Sequence, residues 1–339
     1  MNVEQKTIDA LNLELTIQMV ADDYAPSRKK ILKNYKRKAE FKGFRKGMVP
    51  DSLIEKVYGE QALVESVNEV VYEALNKHIK DNNLNVLGEP LASETQPEVQ
   101  WVNGNEFSFV FDVALSPELS FEVESSDEIA SYNVSASDEE KNKMIENVKK
   151  SYEKRAENTE EGEEAAPVKS DEEIASEVEE MLKNRYKNEA EWKLNKDIRN
   201  YFVSKSAITL PEAFLKRWLF AVNKDKFTEE QMEKEFPAFL EDFKWQLVRG
   251  YLMRKFEFKI EQKDITDAAE DMVRYQYAMY GLSELPAEIV KNAANEILSD
   301  RKQIDRLVEQ VEDTKVITKI KEIVSLKATE ITSTQFNEL

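Results

Sequence analysis

The sequence predicts an α+β N-terminal domain, with two helices on a small antiparallel sheet, followed by an elongated, mostly α-helical domain with arms. Three observations predict it. Residues 11–19 and 107–115 alternate apolar and polar side chains with a period of two, as half-buried strands do. Leu63, Val64, Val67, Val70, Val71, Ala74, Leu75 and Ile79 recur at helical spacing. Only 8 of 339 residues are glycine while 34% are charged, a composition of long helices rather than of compact β or dinucleotide-binding folds.

In chain order, Leu11, Leu13, Leu15, Ile17 and Met19 form one face of a first strand. Asp22, Asp23 and Pro26 then mark the start of a basic helix whose apolar stripe is Ile31, Leu32, Tyr35 and Ala39. A Gly-rich loop leads to a second helix over about 52–81, and a hairpin is expected from Val99–Val102, turning at Asn103-Gly104 into residues 107–115. The first domain is therefore drawn at 1–115. Residues 116–134 read as extended, and Ser137-x-x-Glu140 as the capping box of a helix to about Arg155. From 157 to 180 the chain carries eleven acids against Lys169 alone, and with Gly162 and Pro167 the part before Ser170 reads as a flexible acidic connector. Residues 116–169 thus form a linker, a helix and a connector. Residues 170–339 read as helical, with breaks at 208–211, Phe236-Pro237, Gly281–Pro286 and the tail after Ser325.

Composition removes several function classes. There is no cysteine, so disulfides and thiolate zinc sites are excluded, and the one histidine, His78, cannot by itself build a His-based metal site or a Ser-His-Asp triad. No carboxylate pair stands out as a general acid and base, and no metal or cofactor is expected. No apolar run approaches the ~20 residues of a membrane span, and the N-terminus lacks the apolar core of a signal peptide, so a cytoplasmic protein with no membrane partner is expected.

Function is concentrated in Gly43-Phe44-Arg45-Lys46-Gly47-Met48-Val49-Pro50. Glycines free the backbone of a loop tip and proline stiffens its exit, so Phe44, Arg45 and Lys46 are presented outward. Ten cations lie between Arg28 and Lys46 against Glu40 alone, in a chain of net charge −19. A local charge opposite to that of the whole chain suggests an address for an anionic surface. The loop is not a nucleotide-binding P-loop, which needs four residues between its glycines and then Lys-Ser/Thr. Two aromatic stretches follow later. Phe236, Phe239, Leu240, Phe243, Leu247, Tyr251, Leu252 and Phe256 have the spacing of a core stripe. Met272, Tyr275, Tyr277, Met279 and Tyr280 are less regular, precede Gly281, and suit a surface that accepts many unfolded sequences.

The Gly-Phe-Arg-Lys-Gly-x-Val-Pro loop, in its strand-helix-loop-helix setting, resembles the ribosome-binding domain of the trigger factor family. Ile208-Thr209-Leu210-Pro211-Glu212 resembles the hinge before a helix of that family's C-terminal domain, and Gln335-Phe336-Asn337-Glu338-Leu339 its closing segment. The resemblance implies an ATP-independent ribosome-associated chaperone that cradles nascent or unfolded polypeptides, with a homodimer off the ribosome. Protein transport and cell division accompany it. Phe44, Arg45 and Lys46 match the family's docking residues at the tunnel exit, shaped by Gly43, Gly47 and Pro50. Met272, Tyr275, Tyr277, Met279 and Tyr280 remain client-binding candidates. One departure stands out: the family usually inserts a prolyl isomerase domain where this chain has only residues 155–170. The alternative reading, a peptidyl-prolyl isomerase of this type, therefore has its catalytic domain missing from this chain.

Overall fold

The computed structural model describes residues 1–157, 169–224, 226–282 and 284–339. The expected connector at 158–168, with Gly162 and Pro167, lies outside the described residues. By contact the chain divides into two units, Met1–Glu118 with Ile208–Asp242, and Leu119–Ala207 with Phe243–Leu339.

The first unit is built on a four-stranded sheet in the order β1-β2-β4-β3, from β1 (Asn2–Thr7), β2 (Asn12–Met19), β3 (Leu91–Ala92) and β4 (Phe107–Ala114). All pairings are antiparallel, and Leu13, Leu15 and Ile17 of β2 stand opposite Val113, Phe111 and Phe109 of β4. That apolar face is covered by the long helix α2 (Asp51–Asp81), whose Leu63, Val67, Val71, Ala74 and Leu75 share a core with Leu13, Leu15, Ile17 and Met19. The preceding helix α1 (Ala21–Lys38) carries Asp22 and Asp23 in its first turn and Lys36, Arg37 and Lys38 in its last, matching the helix dipole at both ends. Tyr24 is the residue that α1 buries, so α1 packs chiefly on α2 and meets the sheet through this ring, 5.4 Å from Phe107.

The expected hairpin is not formed. Residues 99–102 are not a strand, and β4 pairs with β2 and β3 instead. The Asn103-Gly104 turn is drawn to α1: Tyr24 donates its hydroxyl proton to the Asn105 carbonyl and accepts from the Gly104 amide. On the far edge of β4, the Gln96 side chain donates to the Ser108 carbonyl and accepts from the Val110 amide, standing in for a strand neighbour. β1 escaped prediction because Val3 is its one large apolar residue; it is an edge strand held by its backbone. From later in the chain, α5 (Glu212–Asn223) joins this unit. Its Arg217 bonds Asp112 at 2.7 Å, and Trp218 sits so close to Gly88 that any Cβ there would clash.

In the second unit, α4 (Asp171–Lys205) opens on a capping box between Ser170 and Glu173. Its buried residues, Ile174, Val178, Leu182, Tyr186, Ala190, Leu194, Ile198 and Phe202, fall at every fourth position. Four residues turn an α-helix by about 40° more than one full revolution, so this stripe winds around the helix. One end therefore packs on α3 (Asp138–Glu157), and the other on α6 (Glu229–Lys255) and α9 (Arg301–Ile323). Ser137 caps α3 as expected, but Glu140 turns away to accept from Tyr186, and the Ser137 amide finds Ser333 instead.

Two breaks differ from expectation. α6 runs through Pro237, because proline's own φ fits a helix and Leu240, Trp245, Val248 and Leu252 are buried further along it. It ends at Lys255 with Glu257 in the left-handed region, closed by bonds from the Glu257 amide to Arg254 and from the Phe258 amide to Met253. The tail after Ser325 is a strand, β6 (Ser325–Thr332), paired in parallel with β5 (Glu128–Ser135) and followed by the short α10 (Ser333–Phe336). α7 (Gln262–Met279) and α8 (Ala287–Ile297) pack on each other and on α9 through Ala269, Val273, Val290, Ala294 and Leu307.

Candidate functional site

The chain between α1 and α2 folds as two successive turns. The Phe44 amide donates to the Phe41 carbonyl at 3.0 Å, and the Met48 amide to the Arg45 carbonyl at 2.9 Å. The third residue of each turn is a glycine at positive φ, Gly43 at 93° and Gly47 at 82°, as a type II turn requires. Phe44 and Arg45 stand where the turns meet, and Lys46 begins the bend of the second. The flanks are buried while the tip faces solvent. Ala39 and Val49 are buried with Ile54 in a small apolar cluster, whereas Phe44 is 44% exposed and Arg45 and Lys46 are fully on the surface. Pro50 starts α2 as its N-cap, and Lys36 at the end of α1 bonds Asp51 at 2.7 Å, closing the loop at its base.

The cations of α1 divide into two sets. Arg28 turns inward to Glu55 and to the Gly59 carbonyl, where the lack of a side chain on Gly59 leaves room for its approach. Lys30 faces Glu69 at 3.9 Å, and Lys46 pairs with Glu40 at 3.0 Å. Lys29, Lys33, Lys38, Lys42 and Arg45 make no ion pair among the described residues. A groove of about 950 Å³ runs along this face, bordered by Lys29, Lys33, Lys36, Arg37 and Gly47. The arrangement can seat an anionic, partly apolar surface: fixed dipoles and cations around one exposed aromatic ring.

The second candidate splits. Met272 and Tyr277 are half-buried against the core that α7 shares with α8, whereas Tyr275, Met279 and Tyr280 are 68%, 73% and 86% exposed. The split follows from helical spacing: Met272 and Tyr277 lie three and eight residues after Ala269, on the face that also carries Val273 into this core, and Tyr275 and Met279 fall off it. Gly281, at φ 80°, donates to the Ala278 carbonyl, and the Leu282 amide reaches back to Tyr277. This pair of bonds is a Schellman closure that ends the helix. Leu282 and Ile289 extend the exposed apolar surface and were not singled out from the sequence; no periodicity marks them. The stripe from Phe236 to Phe256 is buried or half-buried throughout, as a core stripe should be.

Other polar clusters are structural. His78 lies on the surface, 3.0 Å from Gln5. Asp313 accepts from Trp245 and Arg199, and from the buried Arg249, which also faces Glu312; these bonds join α4, α6 and α9. Asp127, itself buried, accepts from Tyr201, Lys205 and the Glu124 amide. Burial pushes its carboxyl up, but these bonds, with Lys205 foremost, hold it below the ordinary carboxylate value. Among the described residues no group of three or more His, Cys, Asp or Glu is placed to hold a metal ion, and no helix is long and apolar enough to cross a membrane.

Comparison with known proteins agrees along most of the chain. A family described as "Bacterial trigger factor protein" matches residues 1–148, and one described as "Probable trigger factor, C-terminal domain" matches residues 190–339. A trigger factor of Glaesserella parasuis is 28% identical over 160 residues, which are 47% of this chain and 36% of that protein. One of Citrifermentans bemidjiense is 31% identical over 119 residues, 35% of this chain and 26% of its own. The chain thus aligns with about a third of the length of the curated relatives it matches. A solved structure reported as "Promiscuous Substrate Recognition in Folding and Assembly Activities of the Trigger Factor Chaperone" shares the fold. Its TM-score is 0.52 at 14% identity, over 94% of this chain and 99% of that one.

Proposed function

The chain belongs to the trigger factor family, and on that premise we propose that it is an ATP-independent chaperone that docks on the ribosome at the tunnel exit and holds nascent or unfolded polypeptides. The observation that carries this reading is the double-turn loop, which exposes Phe44, Arg45 and Lys46 between buried flanks at the end of a helix rich in unpaired cations. Arg45 suits bidentate pairing with a carboxylate or phosphate, Lys46 adds a point charge, and Phe44 adds apolar area that loses little freedom on binding. Gly43, Gly47 and Pro50 shape the loop without being contacts themselves. The free lysines of α1 hasten encounter with an anionic ribosomal surface.

Clients are held at Tyr275, Met279 and Tyr280, widened by Leu282 and Ile289. A thioether chain and amphipathic rings accept varied apolar sequences without demanding one geometry. Docking raises the local concentration of this surface around an emerging chain, so each contact can be weak. The site of action is the cytoplasm, and self-association away from the ribosome belongs to the same proposal. Ribosome co-sedimentation tests docking: the Phe44→Ala, Arg45→Ala, Lys46→Ala variant is expected to lose affinity by at least about 30-fold, and unchanged binding overturns it. Proline-limited refolding of a short peptide substrate is expected to run no faster with this chain present; acceleration would favour the isomerase alternative.

A further inference from the structure

The two turns set the local shape of the docking loop, but nothing within them sets its direction relative to α1 and α2. Direction comes from a row of aromatic rings beneath the loop. Phe41 is the first residue of the first turn, and its carbonyl receives the Phe44 amide, so wherever the Phe41 backbone sits, Phe44 follows. Its ring meets Tyr58 of α2 edge to face, with centroids 6.4 Å apart and planes at 84°. Tyr58 in turn lies flat on Tyr35 of α1, with centroids 4.7 Å apart and planes within 5°. Tyr35 cannot swing away, because its hydroxyl is tied to Glu65, two turns further along α2 from Tyr58. That bond is also the foremost reason its phenol is pushed up to about 12.

A continuous path therefore runs from Glu65 through Tyr35, Tyr58 and Phe41 to the turn that carries Phe44. Val49, 1% exposed, fixes the returning strand of the loop against the same cluster. All three rings are half-buried, whereas Phe44, Arg45 and Lys46 are exposed.

We propose that Tyr58 and Phe41 are positioning residues for docking: their edge-to-face contact, backed by Tyr35, holds the Phe44-Arg45-Lys46 tip in its binding orientation before any partner arrives. The inference rests on the docking reading above. A tip ordered in advance loses less freedom on association, so its affinity is higher for the same contacts. Losing the rings leaves every cation in place. Affinity then falls while the dependence of binding on salt, which counts the charges engaged, stays as it was.

The full chain and purified ribosomes test this. Tyr58→Ala is expected to weaken binding by about tenfold with an unchanged salt slope. The Phe44 and Met48 amides are expected to exchange hydrogen about tenfold faster, because their turn bonds open more often. Tyr58→Phe, which keeps the ring and loses a hydroxyl that has no hydrogen-bond partner among the described residues, is expected to behave as the parent. Tyr58 is only half-buried, and Phe41→Leu offers a second variant that keeps apolar volume but loses the ring edge; it is expected to weaken binding less than Tyr58→Ala, again with an unchanged slope. Parent-like binding and exchange in both Tyr58→Ala and Phe41→Leu overturn the proposal, as does a loss of binding matched by a general rise in exchange across α1 and α2. The Phe44→Ala, Arg45→Ala, Lys46→Ala variant run alongside separates the two ideas. If it too binds like the parent, the docking reading falls; if it alone loses binding, only the positioning role falls.

Discussion

The loop between α1 and α2 and the end of α7 are both glycine-marked turns that expose aromatic residues, yet they are built in opposite ways. At the loop, two hydrogen-bonded turns are clamped by buried residues on either side, and the exposed ring is followed directly by Arg45 and Lys46. At the end of α7, one helix closure holds the backbone, and Tyr275, Met279 and Tyr280 stand mostly exposed to solvent. The first construction favours a single partner geometry. The second leaves side chains free to adjust, which a surface meeting many sequences needs. An exposed aromatic residue thus signifies little until its anchoring and its surrounding charge are known.

The two surfaces differ most in charge. Between 50 and 200 mM salt, ribosome affinity is expected to fall about 10-fold if two phosphates are engaged and about 100-fold if four are. Suppression of client aggregation by the α7 surface is expected to change less than twofold, measured over the same salt range by light scattering. Equal salt dependence of the two activities would merge the sites.

Backbone freedom comes next. A Cβ at Gly47 meets no neighbouring atom, so the cost of Gly47→Ala is the left-handed backbone alone, about 1–2 kcal/mol, read as roughly a tenfold loss of docking with client holding intact.

Lys205→Met strikes the unit that carries the α7 surface instead. Removing the lysine leaves the buried Asp127 carboxylate short of a partner and is expected to cost about 1–3 kcal/mol, with docking unchanged. The sign of its pH dependence follows from the depressed carboxyl of Asp127. In the parent, the stabilisation is fully present above the ordinary value of 3.8 and is lost as pH falls through the lower folded value. The variant is expected to show a shallower loss over that acid range in denaturant titrations.

The smallest effect is expected from Gly281→Ala, which also meets open space. It is expected to cost about 1 kcal/mol, a fall of roughly 2–4 °C in melting temperature, with both activities retained.

Much of this was legible in the sequence wherever the signal was local. The alternation at 11–19 became β2, the spacing from Leu63 to Ile79 became α2, and Gly43 and Gly47 took the positive φ that their turn positions demand. Pro237 was a misleading signal, since one lost backbone bond did not outweigh a helix buried further on. The end of α6 gave no signal at all, because Glu257 occupies a position where glycine or asparagine is the usual marker. Of the five Met and Tyr candidates, composition could not say which face of α7 would be covered, and Met272 and Tyr277 proved to be packed.

Residues close together in the chain already specified β2, α1, α2, the two glycine turns between the helices and the local excess of positive charge, because turns, helix stripes and charge are properties of neighbouring residues. Only the tertiary structure decided that β4 pairs with β2 rather than with 99–102, and that residues 208–242 join the first unit. It alone decided that β5 and β6 run together, with Asn133 bonded to Glu330 from 197 positions away, and that Phe41, Tyr58 and Tyr35 stack beneath the loop. Each of these depends on which distant apolar and polar groups satisfy one another when water is excluded, and local periodicity carries no record of that choice.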